Sequence, residues 1–215
     1  QPLTEIGVLQ QAPQVRSQRR PVTRRKEQPG RAFIAVHRYR LDDFSPYILR
    51  TNDYGKTWDR LTDGQNGIPA NKFVRVVRED PDRKGLLYAG TEFGMYISFD
   101  DGAHWQPFQL NLPVTPITDV KVVNRDLAIS TMGRSFWILD NLAPLQHQGE
   151  PGTPLSLLPP EDTYRFTGGY SENPVPGLGQ NPKSGVILDY FLGQPADSAS
   201  LRLEILEDGE VIRTF

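Results

Sequence analysis

Short apolar runs alternate with clusters of turn-forming residues along residues 31–142 of this 215-residue chain. The apolar residues in these runs are consecutive or alternate with polar ones, which is typical of β-strands. No stretch of comparable length shows the 3.6-residue period of an amphipathic helix. The pattern predicts strands at Phe33–His37, Tyr47–Arg50, Phe73–Arg78, Leu86–Gly90, Met95–Ser98, Ile117–Val123, Leu127–Thr131 and Ser135–Leu139.

The predicted strands repeat as a unit. The second strands of the predicted pairs recur at a spacing of roughly 40 to 47 residues, and a further strand precedes two of the pairs. About four strands in such a period are typical of the blades of a β-propeller. The sequence therefore predicts an all-β fold, a partial β-propeller of about three four-stranded blades over residues 31–142.

Composition divides the rest of the chain. Residues 1–30 are polar and basic, which predicts a disordered tail. Residues 143–184 are rich in Pro and Gly and are expected to be a linker. Residues 185–215 return to strands and predict the opening of a truncated β-sandwich-like domain. Its expected strands are Val186–Phe191, Ser200–Leu206 and Val211–Phe215, with a turn at Asp208-Gly209 between the last two.

Two of the repeats contain the pattern Ser/Thr-x-Asp-x-Gly-x-x-Trp. The Asp carboxylate can accept backbone N–H bonds across a turn, and Gly supplies the positive φ that the turn needs. The hydroxyl can bond the turn backbone, and the Trp ring can be buried between neighbouring sheets. The residues that match the pattern are Thr51, Asp53, Gly55 and Trp58 in the first copy and Ser98, Asp100, Gly102 and Trp105 in the second.

This pattern resembles the Asp-box, or bacterial neuraminidase repeat, of sialidases, xyloglucanase-type glycoside hydrolases, sortilin-type receptors and a photosystem II assembly factor. The segments Val76–Pro81, Gly85–Glu92, Leu110–Pro113 and Gly133–Asp140 are similar to the large bacterial sortilin-like propeller proteins, which often carry the label glycosyl hydrolase. The resemblance covers roughly residues 31–215. It implies a fragment that holds the end of a propeller and the start of a following sandwich-like domain.

The resemblance implies that Asp-boxes lie at the blade periphery, away from a central ligand site. Asp53 and Asp100 are therefore expected to be structural, and no catalytic residue is assigned. A glycosidase needs two facing carboxylates, and the alternative reading is a hydrolase whose carboxylates lie largely outside this fragment. The carboxylates available for that role are Asp42, Asp43, Glu79, Glu92 and Asp119, all beside predicted turns.

Arg134 follows a glycine and precedes the aromatic pair Phe136-Trp137. It is interpreted either as a rim residue that contacts a ligand or, as we favour here, as a tie between neighbouring blades. His37, His104 and His147 show no ligand spacing, so no metal site is expected, and no cofactor motif is present.

Charge and cysteine content refine the choice of partner. Seven of the 24 Lys and Arg residues lie in residues 1–31 against two of the 26 acidic residues, so the remainder is acidic. Such an arm could touch nucleic acid, but its composition favours a solvated tail. We expect no nucleic-acid partner and no membrane span. The resemblance and the absence of cysteine predict a secreted, periplasmic or cell-surface bacterial scaffold that binds protein, peptide or glycan, an assembly factor being a third reading.

Overall fold

The computed structural model describes residues 23–24, 28–147, 155–160, 162–163, 185–195 and 201–215. The chain divides into two compact units, Gln1–Leu142 and Ala143–Phe215. Most of the predicted tail and linker lies outside the described residues.

The first unit is built from antiparallel strands that follow one another in chain order. Its only helical element within the described residues is a 3-10 turn at Tyr39–Leu41. The strands are β1 (Thr23–Arg24), β2 (Ala32–Arg38), β3 (Asp43–Thr51), β4 (Asp59–Arg60), β5 (Val74–Glu79), β6 (Leu87–Thr91), β7 (Gly94–Ser98), β8 (Gln106–Pro107), β9 (Ile117–Val123), β10 (Asp126–Thr131) and β11 (Phe136–Leu139).

These strands form three meander sheets, which we name blades 1 to 3. Blade 1 has the order β1-β2-β3-β4, blade 2 has β5-β6-β7-β8, and blade 3 has β9-β10-β11. Strand β5 contacts β2 of blade 1 and β9 of blade 3, so the blades pack in succession. Successive four-stranded meanders that pack in this way are the arrangement of a β-propeller. The predicted all-β, partial-propeller fold is confirmed.

Every strand predicted for residues 31–142 is present, with ends shifted by a few residues. The strands that the sequence missed are β1, β4 and β8, each of only two residues, which are too short to show an alternating pattern. Strand β1 lies within residues 1–30, so the prediction of a tail is wrong at Thr23 and Arg24. An edge strand of this kind pairs through its backbone and needs no apolar side chain.

A hydrophobic core lies between blades 1 and 2. Its side chains come from the facing sides of both sheets and from the connection between them, and all are buried. They are Phe33, Ala35, Ile48, Ile68, Val74, Val77, Leu87, Ala89, Tyr96 and Trp105.

Trp105 is the wedge of this core. Its side chain is 5% exposed and packs beside Leu61, a residue of the connection that leaves blade 1. The indole Nε1 donates a hydrogen bond to the Leu61 carbonyl (3.4 Å), and the Trp105 amide donates to the Asn66 carbonyl (2.8 Å). Burial of a tryptophan removes on the order of 200 Å² from water, so this one ring contributes much of the contact between the two blades.

Trp58 does not play the same part. It is half-buried rather than buried, and its Nε1 donates to the Gly55 carbonyl of its own turn (3.1 Å). The prediction that both rings are buried wedges is therefore wrong for Trp58. The segment that would pack on Trp58 as Leu61 and Asn66 pack on Trp105 lies 47 positions earlier in the chain, within residues 14–20. These residues lie outside the described part of the chain.

The second unit contains one short helix and two antiparallel ribbons in its described residues. Helix α1 (Ala143–Gln146) is followed by β12 (Leu155–Leu157), which pairs with β13 (Tyr190–Leu192). Strands β14 (Glu204–Glu207) and β15 (Glu210–Thr214) form a hairpin around Asp208-Gly209, both at positive φ, as predicted for this turn.

All residues of β14 and β15 are exposed. Leu201 and Leu203, which precede β14, are half-buried and alternate with exposed Arg202 and Glu204, as the strand pattern predicts, whereas Ile205 is exposed. Within the described part of the second unit, no sheet or helix covers this ribbon. The predicted sandwich-like domain stays a prediction.

The backbone of Gly67 lies against Trp105, so a substitution at Gly67 tests the packing of this tryptophan. It has a φ of 117°, and a Cβ at this position would overlap the carbonyl of Trp105. Gly67→Ala is expected to lower the free energy of unfolding by on the order of 3 kcal/mol, because it combines strain with displacement of a packed backbone.

The measurement is urea denaturation. The matched control is Gly133→Ala, at a φ of 81° with no atom near the added methyl group, which isolates the cost of positive φ, about 1 kcal/mol. Equal losses for the two variants would contradict the close approach of Gly67 to Trp105.

Candidate functional site

The two turns that carry the pattern Ser/Thr-x-Asp-x-Gly-x-x-Trp, which we name the motif turns, are built from the same local hydrogen bonds. In the first, Thr51 Oγ1 donates to Asp53 (2.8 Å) and accepts from the amide of Gly55 (2.9 Å). Asp53 also accepts from the amide (2.9 Å) and hydroxyl (2.6 Å) of Thr57. Each group of the motif thus satisfies another within the turn, as the sequence reasoning expected.

The second turn repeats this arrangement with Ser98 in place of Thr51. Ser98 Oγ contacts Asp100 (2.8 Å) and accepts from the amide of Gly102 (2.9 Å). Asp100 accepts from the amide of His104 (2.9 Å), and its second oxygen lies 2.6 Å from the ring nitrogen Nδ1 of the exposed His104. The two turns are therefore equivalent structural devices.

The electrostatics of both motif aspartates favour the anion. Hydrogen bonds from the hydroxyl and amide of Thr57 lower the pKa of Asp53 to about 2. Burial alone would raise the pKa of Asp100, but hydrogen bonds from His104 and Ser98 outweigh it and lower that pKa. A carboxyl group held as an anion cannot donate a proton near neutral pH, so neither group suits a general acid.

An ionic network at the blade 1–blade 2 interface is the main feature that sequence reasoning missed. Arg31 is buried, and its guanidinium contacts both Glu79 (3.1 Å) and Asp101. Asp101 also pairs with Arg50 of β3 (2.6 Å). One carboxylate of blade 2 therefore binds two arginines of blade 1.

The second motif turn places Asp101 in this network. Asp101 follows the motif residue Asp100 and has a φ of 65°, and its amide donates to the Gly85 carbonyl (2.9 Å). In the first turn the equivalent residue, Tyr54, donates in the same way to Gly30 (2.9 Å). The turn geometry thus repeats, while the side chain at this position decides whether neighbouring blades are joined by charge.

A second charged link joins blades 2 and 3. Arg78 of β5 pairs with Asp119 of β9 (2.7 Å), and its Nε donates to the carbonyl of Val120 (2.9 Å). Both interfaces of the first unit therefore combine apolar packing with an arginine–carboxylate contact.

Most of the carboxylates considered for glycosidase chemistry have structural partners. Glu79 binds Arg31 and accepts from the amide of Gly85 (3.2 Å). Glu92 pairs with Arg75 (2.5 Å), and Asp119 belongs to the link with Arg78.

Asp42 and Asp43 lie at the connection between β2 and β3. Asp43 accepts from Tyr47 (2.8 Å) and the amide of Ser45 (3.1 Å); burial opposes these bonds, but they and the charge of Arg38 lower its pKa. Asp42 is exposed and ends the 3-10 turn at a φ of 63°. Asp43 therefore does not have the raised pKa of a general acid poised by burial.

Aromatic side chains gather where the β2–β3 connection of blade 1 meets blade 2. Tyr39 stacks on Phe73 with ring centroids 5.0 Å apart, and Phe44 contacts the same ring at 6.3 Å. Lys72 lies 5.9 Å from the ring of Phe93, in the β6–β7 turn. We name Tyr39, Phe44, Lys72, Phe73 and Phe93 the aromatic rim.

The aromatic rim is accessible and lies beside cations, of which Arg75 is paired with Glu92. Phe44 is 45% exposed and Phe93 is 47% exposed. The Arg40 guanidinium lies 5.9 Å from the ring of Tyr39, and Arg75 lies 5.2 Å from that of Phe73. Exposed aromatic rings beside cations can stack on a ligand and bind its acidic groups.

Arg134 lies in the exposed β10–β11 turn of blade 3. Its amide donates to Thr131 (3.1 Å), but its guanidinium has no hydrogen-bond or ion-pair partner among the described residues. The interpretation of Arg134 as a tie between blades therefore stays a prediction, which no contact among the described residues supports. Phe136, expected to be buried by the strand pattern, is instead 82% exposed.

No cluster of His, Cys, Asp or Glu that could hold a metal ion occurs among the described residues. His37 packs against Tyr39 and Phe73, and His104 contacts Asp100. None of the helices in the described residues has the length and apolarity of a membrane span.

Several solved structures are similar to this chain. One is a GH74 enzyme of Niastella koreensis, with 13% identity over 57% of this chain and 21% of that chain and a TM-score of 0.45. Another is YCF48 from Cyanidioschyzon merolae, with 15% identity, coverage of 60% and 39%, and a TM-score of 0.42. A third is the GH74 xyloglucanase from Xanthomonas campestris, with 17% identity, coverage of 64% and 26%, and a TM-score of 0.40.

The chain spans between about a fifth and two fifths of the length of these structures. Similarity at this level of identity concerns the fold and not the activity. No protein-family model matches the sequence, and no curated protein matches it.

Asp101→Asn tests the ionic network. The substitution keeps the shape and the positive φ but removes the charge that faces Arg31 and Arg50. We expect it to lower the free energy of unfolding by about 2 kcal/mol, because the buried Arg31 loses one of its two carboxylate partners and keeps only Glu79.

Urea denaturation measures the loss, and Asp59→Asn is the matched control. Asp59 also pairs with Arg50 but is largely exposed, so its loss is expected to stay below about 1 kcal/mol. A loss for Asp101→Asn no larger than that of the control would show that the network does not hold the blades together.

Proposed function

We propose that this chain is part of a non-catalytic, sortilin-like Asp-box propeller scaffold that binds its ligand at the aromatic rim. The observation that carries the proposal is the exposure of Phe44 and Phe93 beside Lys72 and the Tyr39–Phe73 stack. Isolated exposed apolar residues are ordinary, but rings grouped with cations at the meeting of two blades form a surface suited to recognition.

The role of the Asp-boxes supports a scaffold rather than an enzyme. Their side-chain oxygens form hydrogen bonds within the turns, and the carboxylates Glu79, Glu92 and Asp119 are bound to arginines. A retaining or inverting glycosidase would need a protonated carboxyl group facing a second carboxylate.

The ligand class follows from the chemistry of the rim. Its rings favour contact with apolar or flat groups, and its cations favour acidic ones. A protein, a peptide or a glycan with acidic groups fits this description. By the resemblance of its sequence, we place the parent protein outside the cytoplasm, at the bacterial surface, in the periplasm or in the medium. Cell fractionation of the producing organism tests that placement.

Ligand selection with the full chain tests the binding role. Wild-type protein is screened against a displayed library of random peptides and a printed glycan array. The double variant Phe44→Ser, Phe93→Ser is expected to bind the selected ligands at least tenfold more weakly, because aromatic anchors dominate interface energies.

The control is Val211→Ser, Ile212→Ser, which removes two exposed apolar side chains from β15 in the second unit. It is expected to bind like wild type. Undiminished binding by the rim variant would contradict the proposed site. Release of reducing sugar from a glycan panel, lost on changing one carboxylate, would favour the glycoside-hydrolase alternative.

A further inference from the structure

Blade 3 has no outer strand among the described residues. In blade 1, Leu49 and Arg50 of β3 pair with β4, and in blade 2 Tyr96 and Ile97 of β7 pair with β8. The equivalent residues of β11 are Trp137 and Ile138, because Leu139 occupies the register position of Thr51 and Ser98. The outer edge of β11 is therefore an open place for one more strand.

The complete blades show which backbone groups this edge presents. The carbonyl of Ile48 accepts from the Leu61 amide (2.8 Å), and the Ile48 amide donates to Thr62 Oγ1 (3.1 Å). The equivalent residue in blade 3 is Phe136. An arriving strand would thus meet a carbonyl that needs an N–H and an amide that needs a side-chain oxygen.

Blade 2 uses the same pair of bonds. The carbonyl of Met95 accepts from the Phe108 amide (2.9 Å), and the Met95 amide donates to Gln109 Oε1 (3.3 Å). The requirement is therefore a property of the repeat and not of one blade.

A groove between blades 2 and 3 lies at the position that corresponds to Trp105 between blades 1 and 2. It is lined by Phe108–Leu112, which leave blade 2, and by Ile129 and Trp137–Leu139 of blade 3. Phe108 is the equivalent of Leu61, the residue beside Trp105 at the first interface. Seven residues after Leu139, where Thr51 and Ser98 are followed by tryptophan, the sequence has Gln146. The groove thus lies along the interface between blades 2 and 3, and the sequence has Gln146 where a tryptophan of the motif would fill it.

The two outer strands of this chain share one pattern. The first reads Trp58-Asp59-Arg60-Leu61-Thr62 and the second Trp105-Gln106-Pro107-Phe108-Gln109. Each begins with a tryptophan and continues with two residues that pair with the neighbouring strand. An apolar residue follows, whose amide donates a hydrogen bond to that strand, and then a residue whose side-chain oxygen accepts one from it.

We infer that the groove of blade 3 binds an extended peptide segment of another protein, with a tryptophan followed three residues later by an apolar residue and four residues later by an oxygen-bearing side chain. The segment adds to β11 as a fourth antiparallel strand, and its indole fills the groove beside Phe108. Backbone pairing at an open edge gives affinity, and the ring and the oxygen give selectivity.

Charge favours an acidic residue at the last position of the segment. Arg134 is two residues from Phe136, is exposed, and has no side-chain partner among the described residues. A glutamate there would supply the oxygen that Gln109 supplies in blade 2 and would also face this cation. The site is distinct from the aromatic rim and does not depend on it.

Two labelled peptides test the inference by fluorescence anisotropy with the full chain. One is Ala-His-Trp-Gln-Pro-Phe-Gln, the sequence of residues 103–109, and the other ends in Glu instead of Gln. Both are expected to bind saturably, the Glu peptide more tightly. Replacement of the peptide tryptophan by alanine is expected to weaken binding at least tenfold. This comparison leaves the protein unchanged, so it does not depend on the folding of a variant.

Protein variants locate the site. Ile138→Arg, at an exposed edge position, is expected to weaken binding at least tenfold, while Val123→Arg, exposed on β9 of the same sheet, leaves it unchanged. Arg134→Ala is expected to remove the advantage of the Glu peptide. Hydrogen exchange of the Phe136 and Ile138 amides is expected to be fast in the free chain and slowed by the peptide.

The inference is overturned if neither peptide binds saturably, if the alanine peptide binds equally well, or if Ile138→Arg and Val123→Arg behave alike. Protection of the Phe136 and Ile138 amides before peptide is added would show that the chain's own residues cover the edge, which also overturns it. Failure of this test leaves the aromatic rim, which other variants test, unaffected.

Discussion

The packing of Trp105 between blades 1 and 2 is the contact on which the rest of the first unit depends. The ring covers the connection that leaves blade 1, and its amide fixes that connection at Asn66. A meander sheet cannot bury both of its faces alone, so each blade is stable only against a neighbour. The same turn that aims Trp105 also aims Asp101 at Arg31, so that apolar packing and charge act at one interface.

Differences between the repeats give the molecule its candidate binding surfaces. Where the motif is complete, its carboxylate and hydroxyl are used within the turn, and the tryptophan is available to the preceding blade. Where the motif is lost, after Leu139, no strand among the described residues pairs with the outer edge of β11, and a groove lies between blades 2 and 3. The aromatic rim arises at the opposite ends of the strands, where the turns are free to vary because no motif constrains them.

The sequence predicted the local features well and the long-range ones poorly. The motif turns follow from spacing, because their hydrogen bonds join residues two to four positions apart. The ion pair between Arg31 and Asp101 spans 70 positions and carries no local signal, so Arg31 was counted with the basic tail. Trp58 and Trp105 share a motif but differ in burial, since burial depends on the neighbouring blade and not on the turn.

Unfolding of two tryptophan variants tests the central claim most directly. If Trp105 is the wedge, Trp105→Ala lowers the free energy of unfolding by about 3–5 kcal/mol, the range for loss of a large buried ring. Trp58→Ala, which removes the same ring from the same motif, then costs about 1 kcal/mol, because this indole is half-exposed and rests on its own turn. Equal losses from the two variants would contradict the account.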